Sequence, residues 1–166
     1  MAKSGNGALR TRPGTIVGVG RWGPGVSWLK DDSRHDERNT ESFRSVQEDV
    51  SGESAVAKTS DGDLWRADPD HQMAPLGIDN VSEFTRCEGG LVVVRGTMVS
   101  IPGAPAIDVG EPVTALHGDR DFVGVGTRFG TVWVLSHEAG ELARIQAYGE
   151  RVSAITLFAD DLFTGS

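Results

Sequence analysis

The feature that most narrows what this chain can fold into is recurrence. Thr15 to Leu29 reads TIVGVGRWGPGVSWL, and Asp121 to Leu135 reads DFVGVGTRFGTVWVL. Both hold V-G-V-G, then a short loop with an arginine and an aromatic, then a glycine, then an apolar stretch with a tryptophan. A tighter pair follows. EPVTALHGDRDFVGVGT, from Glu111, aligns without a gap on ERVSAITLFADDLFTGS, from Glu150. Val113 falls on Val152, Ala115 on Ala154, Val125 on Thr164, Gly126 on Gly165 and Thr127 on Ser166, all at an offset of 39. Self-similarity at a fixed offset of this size marks one supersecondary unit stacked several times.

Toward the N-terminus the units are less regular. Val81 of DNVSEFTRCEGGLVVVRGTMVSI lies 32 residues before Val113. DVSGESAVAKTSDGDLWRADPD holds a strand, an SDGD turn and a strand with Trp65. Gly20 lies 106 residues before Gly126, or about three units. The clearest unit divides into four short strands: Pro112–Leu116, Asp121–Gly126, Thr131–Ser136 and Leu142–Ala147. HGDRD, TRFG and HEAGE join them, rich in turn formers. Leu91–Val94, LVVV, is continuously apolar, as strands covered on both faces are. Four strands per unit at this period predict an all-β fold, a β-propeller of four-stranded blades.

About four and a half blades are present. LFTGS stops halfway through one, so the chain reads as an incomplete propeller or as a four-bladed ring. In the ring, the last strands would pair with the first and remove exposed edges. The expected boundaries are a flexible tail at 1–14 and blades over 15–166. Within the blades, 30–49 (KDDSRHDERNTESFRSVQED) has too little to bury to offset its ordering entropy. It reads as a charged insertion or a disordered loop.

Several stretches resemble known repeats. GTVWVLSHEAGELARI, Gly130 to Ile145, has the G-x-V-x-x-L…G-E-L pattern of quinoprotein-like repeats, and DGDLWRAD, Asp61 to Asp68, is similar. RVSAITLFADDLFTGS, Arg151 to Ser166, is similar to the first half of a WD40 repeat, where the inner strand is followed by one ending in TGS. The chain therefore resembles degenerate WD40-like and quinoprotein-like propellers over most of Thr15–Ser166. The tryptophan–aspartate pair of WD repeats is missing: Trp133 precedes Val134, Trp65 precedes Arg66 and Trp28 precedes Leu29. His117–Gly118 reverses the order of the Gly-His pair. The likeness implies architecture, and a propeller fold hosts many functions.

Composition excludes some of these. The formal charge is −8 over 166 residues, which argues against nucleic-acid and anionic-membrane binding, since both need a basic surface. One cysteine, Cys87, allows no internal disulfide. Residues 1–14 lack the apolar core of a signal peptide, and no run is long and apolar enough for a membrane span. A cytoplasmic location is expected.

Catalytic patterns are scarce. The four histidines, His35, His71, His117 and His137, show no metal-ligand spacing. There is no G-x-S-x-G elbow, and GVGRWGPG precedes a strand where a dinucleotide site needs a helix. Asp61–Asp63, DGD, lacks the later glutamate of a calcium loop and reads as a hairpin turn. The innermost strands offer only Thr114, Arg151 and Ser153 to a central channel. No enzymatic activity, metal or cofactor is expected. Trp28, Trp65 and Trp133 recur at one blade position and are expected to pack between blades. Arg21–Trp22 and Arg128–Phe129 fall in equivalent loops, and both residue types are enriched in interface hot spots. These four are the predicted partner-binding residues of a non-enzymatic scaffold that mediates protein–protein interaction through loops on one face. A protein or peptide partner is expected, and a small molecule is disfavoured. The alternative is a propeller domain of an enzyme, a hydrolase or quinoprotein-like oxidoreductase, whose catalytic part lies outside this chain.

Overall fold

The computed structural model describes the backbone of Ala8–Arg12, Thr15–Val19, Val26–Lys30, Ser33–Glu37, Phe43–Glu48 and residues 55–67, 73–136, 138, 140–158 and 161–166. It describes side chains within 55–66, 74–136, 138, 140–157 and 161–166. All described elements are strands or turns. The chain divides into two compact units, Met1–Asn80 and Val81–Ser166.

The first unit holds two four-stranded antiparallel meanders. One runs β1 (Ala8–Arg12), β2 (Thr15–Val19), β3 (Val26–Lys30), β4 (Ser33–Glu37). The other runs β5 (Phe43–Glu48), β6 (Ala55–Thr59), β7 (Leu64–Ala67), β8 (Met73–Ile78). Two expectations are corrected here. The stretch read as a tail contains β1, whose Leu9 pairs with Val17. The stretch read as a charged insertion contains β4 and β5: Trp28 pairs with His35, and Val46 with Ala57. A strand at a sheet edge satisfies its backbone through one neighbour and needs few apolar side chains. Polarity therefore hid β4 from a composition argument. In β6 and β7, Ala55, Val56, Ala57 and Leu64 are buried.

The second unit holds a meander of β9 (Glu83–Cys87), β10 (Gly90–Arg95), β11 (Met98–Ser100) and β12 (Ile107–Asp108). A second meander has β13 (Val113–Gly118), β14 (Phe122–Thr127), β15 (Thr131–Ser136) and β16 (Gly140–Gln146). A hairpin of β17 (Ala154–Phe158) and β18 (Asp161–Gly165) follows. Among the described residues, four four-stranded sheets and a two-stranded hairpin match the expected count of about four and a half blades.

The V-G-V-G phrase now has a physical reason. Alternate residues of a strand face opposite sides. Val123 and Val125 enter a core with Cys87, Val92, Val94, Val99 and Ile101 of the preceding blade, joined by Trp133 and Leu135. Gly124 and Gly126 face the following hairpin, which comes very close. A methyl on Gly126 would sit 2.5 Å from Val152 Cγ1. Val152, Ile155, Ala115 and Val132 form that second core. Val113 and Ala115 reach opposite cores although two apart, because a bulge between them shifts the register and turns the strand over.

Trp133 packs between blades as expected, 5% exposed, with the Arg144 guanidinium 4.7 Å from its ring centre. Its Nε1–H finds no acceptor among the described residues. The residue opposite it on β14 is Val125, whose side chain carries none.

The repeat register survives in the hydrogen bonds. Val81, Val113 and Val152 are all buried. The next residue of each unit turns to the second strand or the next blade. Ser82 N–H donates to Val94 O at 2.9 Å and Ser153 N–H to Gly165 O at 2.8 Å. The Thr114 hydroxyl donates to Val152 O at 2.7 Å, joining adjacent blades.

Candidate interaction face

The β14–β15 turn, Thr127-Arg128-Phe129-Gly130-Thr131, is built from inside outward. Gly130 takes φ 88°, with its N–H 3.4 Å from Thr127 O. Thr131 N–H donates to the Thr127 hydroxyl oxygen at 3.0 Å. The β6–β7 turn, Thr59-Ser60-Asp61-Gly62-Asp63, has the same construction. Gly62 has φ 92°, its N–H lies 3.3 Å from Thr59 O, and Asp63 N–H donates to the Thr59 hydroxyl at 3.0 Å. The sequence rule is T-x-x-G-x: threonine supplies the internal acceptor, and glycine the left-handed residue.

A second layer fixes the β14–β15 turn. Glu111 accepts hydrogen bonds from the Thr127 and Thr131 hydroxyls, the latter at 2.9 Å. Its carboxyl is held below the usual glutamate value, first by the Thr127 hydroxyl and against the opposing effect of desolvation. The Thr131 hydroxyl, the Phe129 backbone and the Arg144 charge add to the lowering. Gln146 Nε2 donates to Phe129 O at 2.7 Å and Tyr148 O at 2.6 Å, and Gly130 O accepts Ala147 N–H at 3.0 Å. Tyr148 in turn donates its phenol to Thr164 O at 2.8 Å. The turn is thus clamped to the linker that leads into β17.

What this scaffold holds outward is Arg128, exposed, and Phe129, 61% exposed. Neighbouring segments share the end of the unit. Val152 N–H donates to Thr127 O at 3.0 Å and Arg128 N–H to Pro112 O at 2.9 Å. Val109 N–H donates to Thr97 O at 3.0 Å in the β10–β11 turn. Asp108 Oδ1 accepts Gly110 N–H at 2.9 Å, and this bond, with a second from Thr97, lowers its pKa. The linker from Val109 to Pro112 spans at most about 10 Å, so two successive turns stand side by side. The β10–β11 turn adds exposed Arg95 and Met98, 37% exposed.

Of the four predicted site residues, Arg128 and Phe129 are on this face. Arg21 and Trp22 lie outside the described residues. Sequence reasoning missed Arg95 and Met98, because a two-residue turn of Gly96-Thr97 breaks the T-x-x-G-x pattern. It assigned Arg151 to a channel strand, whereas β17 begins at Ala154 and Arg151 lies in the exposed linker beside the turn. Glu111, Gln146 and Tyr148 were invisible as a set, since their meeting depends on the blade-to-blade linkers. His117 belongs to β13 rather than to a turn. Among the described residues, no three histidine, cysteine or acidic side chains are placed to hold a metal ion. Among the described residues there is no helix long and apolar enough to cross a membrane.

No family model matches the sequence, and no curated protein matches it. Solved structures do match in shape. A chain of the mitotic checkpoint complex superposes with a TM-score of 0.69 at 12% identity, over 91% of this chain and 53% of that one. Sqt1 of Saccharomyces cerevisiae superposes with a TM-score of 0.71 at 10% identity, over 97% of this chain and 56% of that one. The fold is that of a β-propeller built of four-stranded antiparallel blades. The chain spans about half the length of these solved structures.

Proposed function

We propose that this chain is a non-enzymatic interaction scaffold that presents Arg128 and Phe129 on a rigid turn to a protein or peptide partner. One observation carries the reading. The β6–β7 turn has the same hydrogen bonds and the same left-handed glycine, yet places Ser60 and Asp61 where the β14–β15 turn places Arg128 and Phe129. Turn geometry therefore does not demand an arginine or an aromatic. An exposed phenyl ring gains nothing from water, and preorganised aromatic and arginine side chains are what interface hot spots use. That one structural neighbour comes from a multi-protein complex supports the same reading.

The test is to replace the tip by its counterpart, Arg128→Ser with Phe129→Asp, and compare capture of partners from host-cell lysate. The swap is expected to leave the circular dichroism and melting curve unchanged and to remove proteins retained by the original chain. Unchanged capture by the folded variant overturns the proposal.

A further inference from the structure

We infer that the partner segment is acidic: its carboxylates meet Arg128 and Arg151, and an apolar side chain of the same segment lies on Phe129. This rests on the reading of the face as an interaction surface. The chain carries a formal charge of −8, so an unselected exposed patch would be expected to be acidic. Here the balance differs. Arg128 and Arg151 are both exposed, and among the described residues neither is paired with a carboxylate. They flank one hydrogen bond, Val152 N–H to Thr127 O at 3.0 Å, each a single residue away from it.

Two of the nearby carboxylates are turned to other work. Glu111 is taken up by the hydroxyls of Thr127 and Thr131. Asp108 is taken up by Gly110 N–H and Thr97. Glu150 is the remaining exposed carboxylate beside Arg151. Each guanidinium offers five N–H donors in a planar fork that matches a carboxylate. Next to Arg128 in the turn stands Phe129, 61% exposed, and the adjoining turn adds Met98 at 37%. Two cationic forks beside an apolar platform complement an acidic segment that also carries an aromatic or aliphatic residue. The same arrangement repels a lysine-rich one.

The probe is a fluorescein-labelled heptapeptide, Glu-Glu-Trp-Glu-Leu-Glu-Glu, against its counterpart with every glutamate replaced by lysine. Binding to the full chain is read by anisotropy at about 50 mM and about 300 mM salt, on either side of physiological screening. The acidic peptide is expected to bind and to weaken with salt, and the lysine peptide is not. Arg128→Glu with Arg151→Glu, both at exposed positions, is expected to weaken the acidic peptide by at least about tenfold. Single alanine variants are expected to weaken it by up to about fivefold each. Equal binding of the two peptides, no binding of either, or indifference to charge reversal in the folded variant overturns the acidic assignment. The lysate experiment is then repeated with the charge-reversed variant. Loss of capture by the Ser-Asp tip swap alongside retention by the charge reversal would leave the interaction face standing and remove only its acidic partner.

Discussion

At the scale of single residues, Gly130 and Glu111 are the positions on which the exposed turn depends. Gly130→Ala would force a side chain into φ 88° and place its Cβ 2.1 Å from Tyr148 O. Backbone, not a flexible side chain, is the obstacle, so we expect a loss of about 3 kcal/mol or more, read as a lower urea midpoint. Phe129→Ala, at an exposed position, should stay within about 0.5 kcal/mol. Glu111→Gln keeps the shape and loses the charge-assisted bonds, for about 1 kcal/mol after allowance for solvent screening. The pH dependence follows from the sign of the shift. The folded carboxyl titrates below the ordinary value of 4.5, so the folded state binds this proton less readily than the unfolded chain. The stabilisation is fully present above pH 4.5 and is lost as pH falls through the folded value. The stability gap between the original chain and Glu111→Gln should therefore close on acidification below pH 4.5. A gap that widened would contradict the network.

At the scale of elements, a β14 with glycine on one face allows the hairpin to pack closely. Gly126→Ala would set a methyl 2.5 Å from Val152 Cγ1 and 3.2 Å from the Ala115 Cβ, an overpacking cost of about 1–3 kcal/mol. Val152→Ala removes a fully buried side chain, for about 1–3 kcal/mol. Each change relieves the other, so the double variant should lose less than the sum. Chemical denaturation of the four proteins in a double-mutant cycle measures that coupling; simple additivity would mean the two residues do not share the contact.

For the whole molecule, net charge acts on folding and binding in opposite directions. A formal charge of −8 makes the compact state repel itself, and salt screens that repulsion. Raising salt should therefore lift the melting temperature, while weakening the acidic peptide held by Arg128 and Arg151. Thermal melts and anisotropy along one salt series would show both trends. A melting temperature that fell with salt would point to specific ion pairs outweighing the general repulsion.

The repeat was legible in sequence because a blade is a local object. Its four strands follow one another, its turns need glycine at fixed places, and Val81, Val113 and Val152 recur because each is buried at the corresponding place of its own unit. The β4 and β1 strands were not legible, since an edge strand is held by backbone bonds that any side chain permits. Arg128 and Phe129 could be singled out from the echo between two turns. That the turn is clamped by Glu111, Gln146 and Tyr148, and that Arg151 stands beside it, was decided only by tertiary structure. Glu111, Tyr148 and Arg151 come from the linkers before and after the blade, and Gln146 from the end of its last strand. Their meeting depends on how closely β17 packs on β14, a distance set by Gly126 against Val152 rather than by any local pattern in the chain.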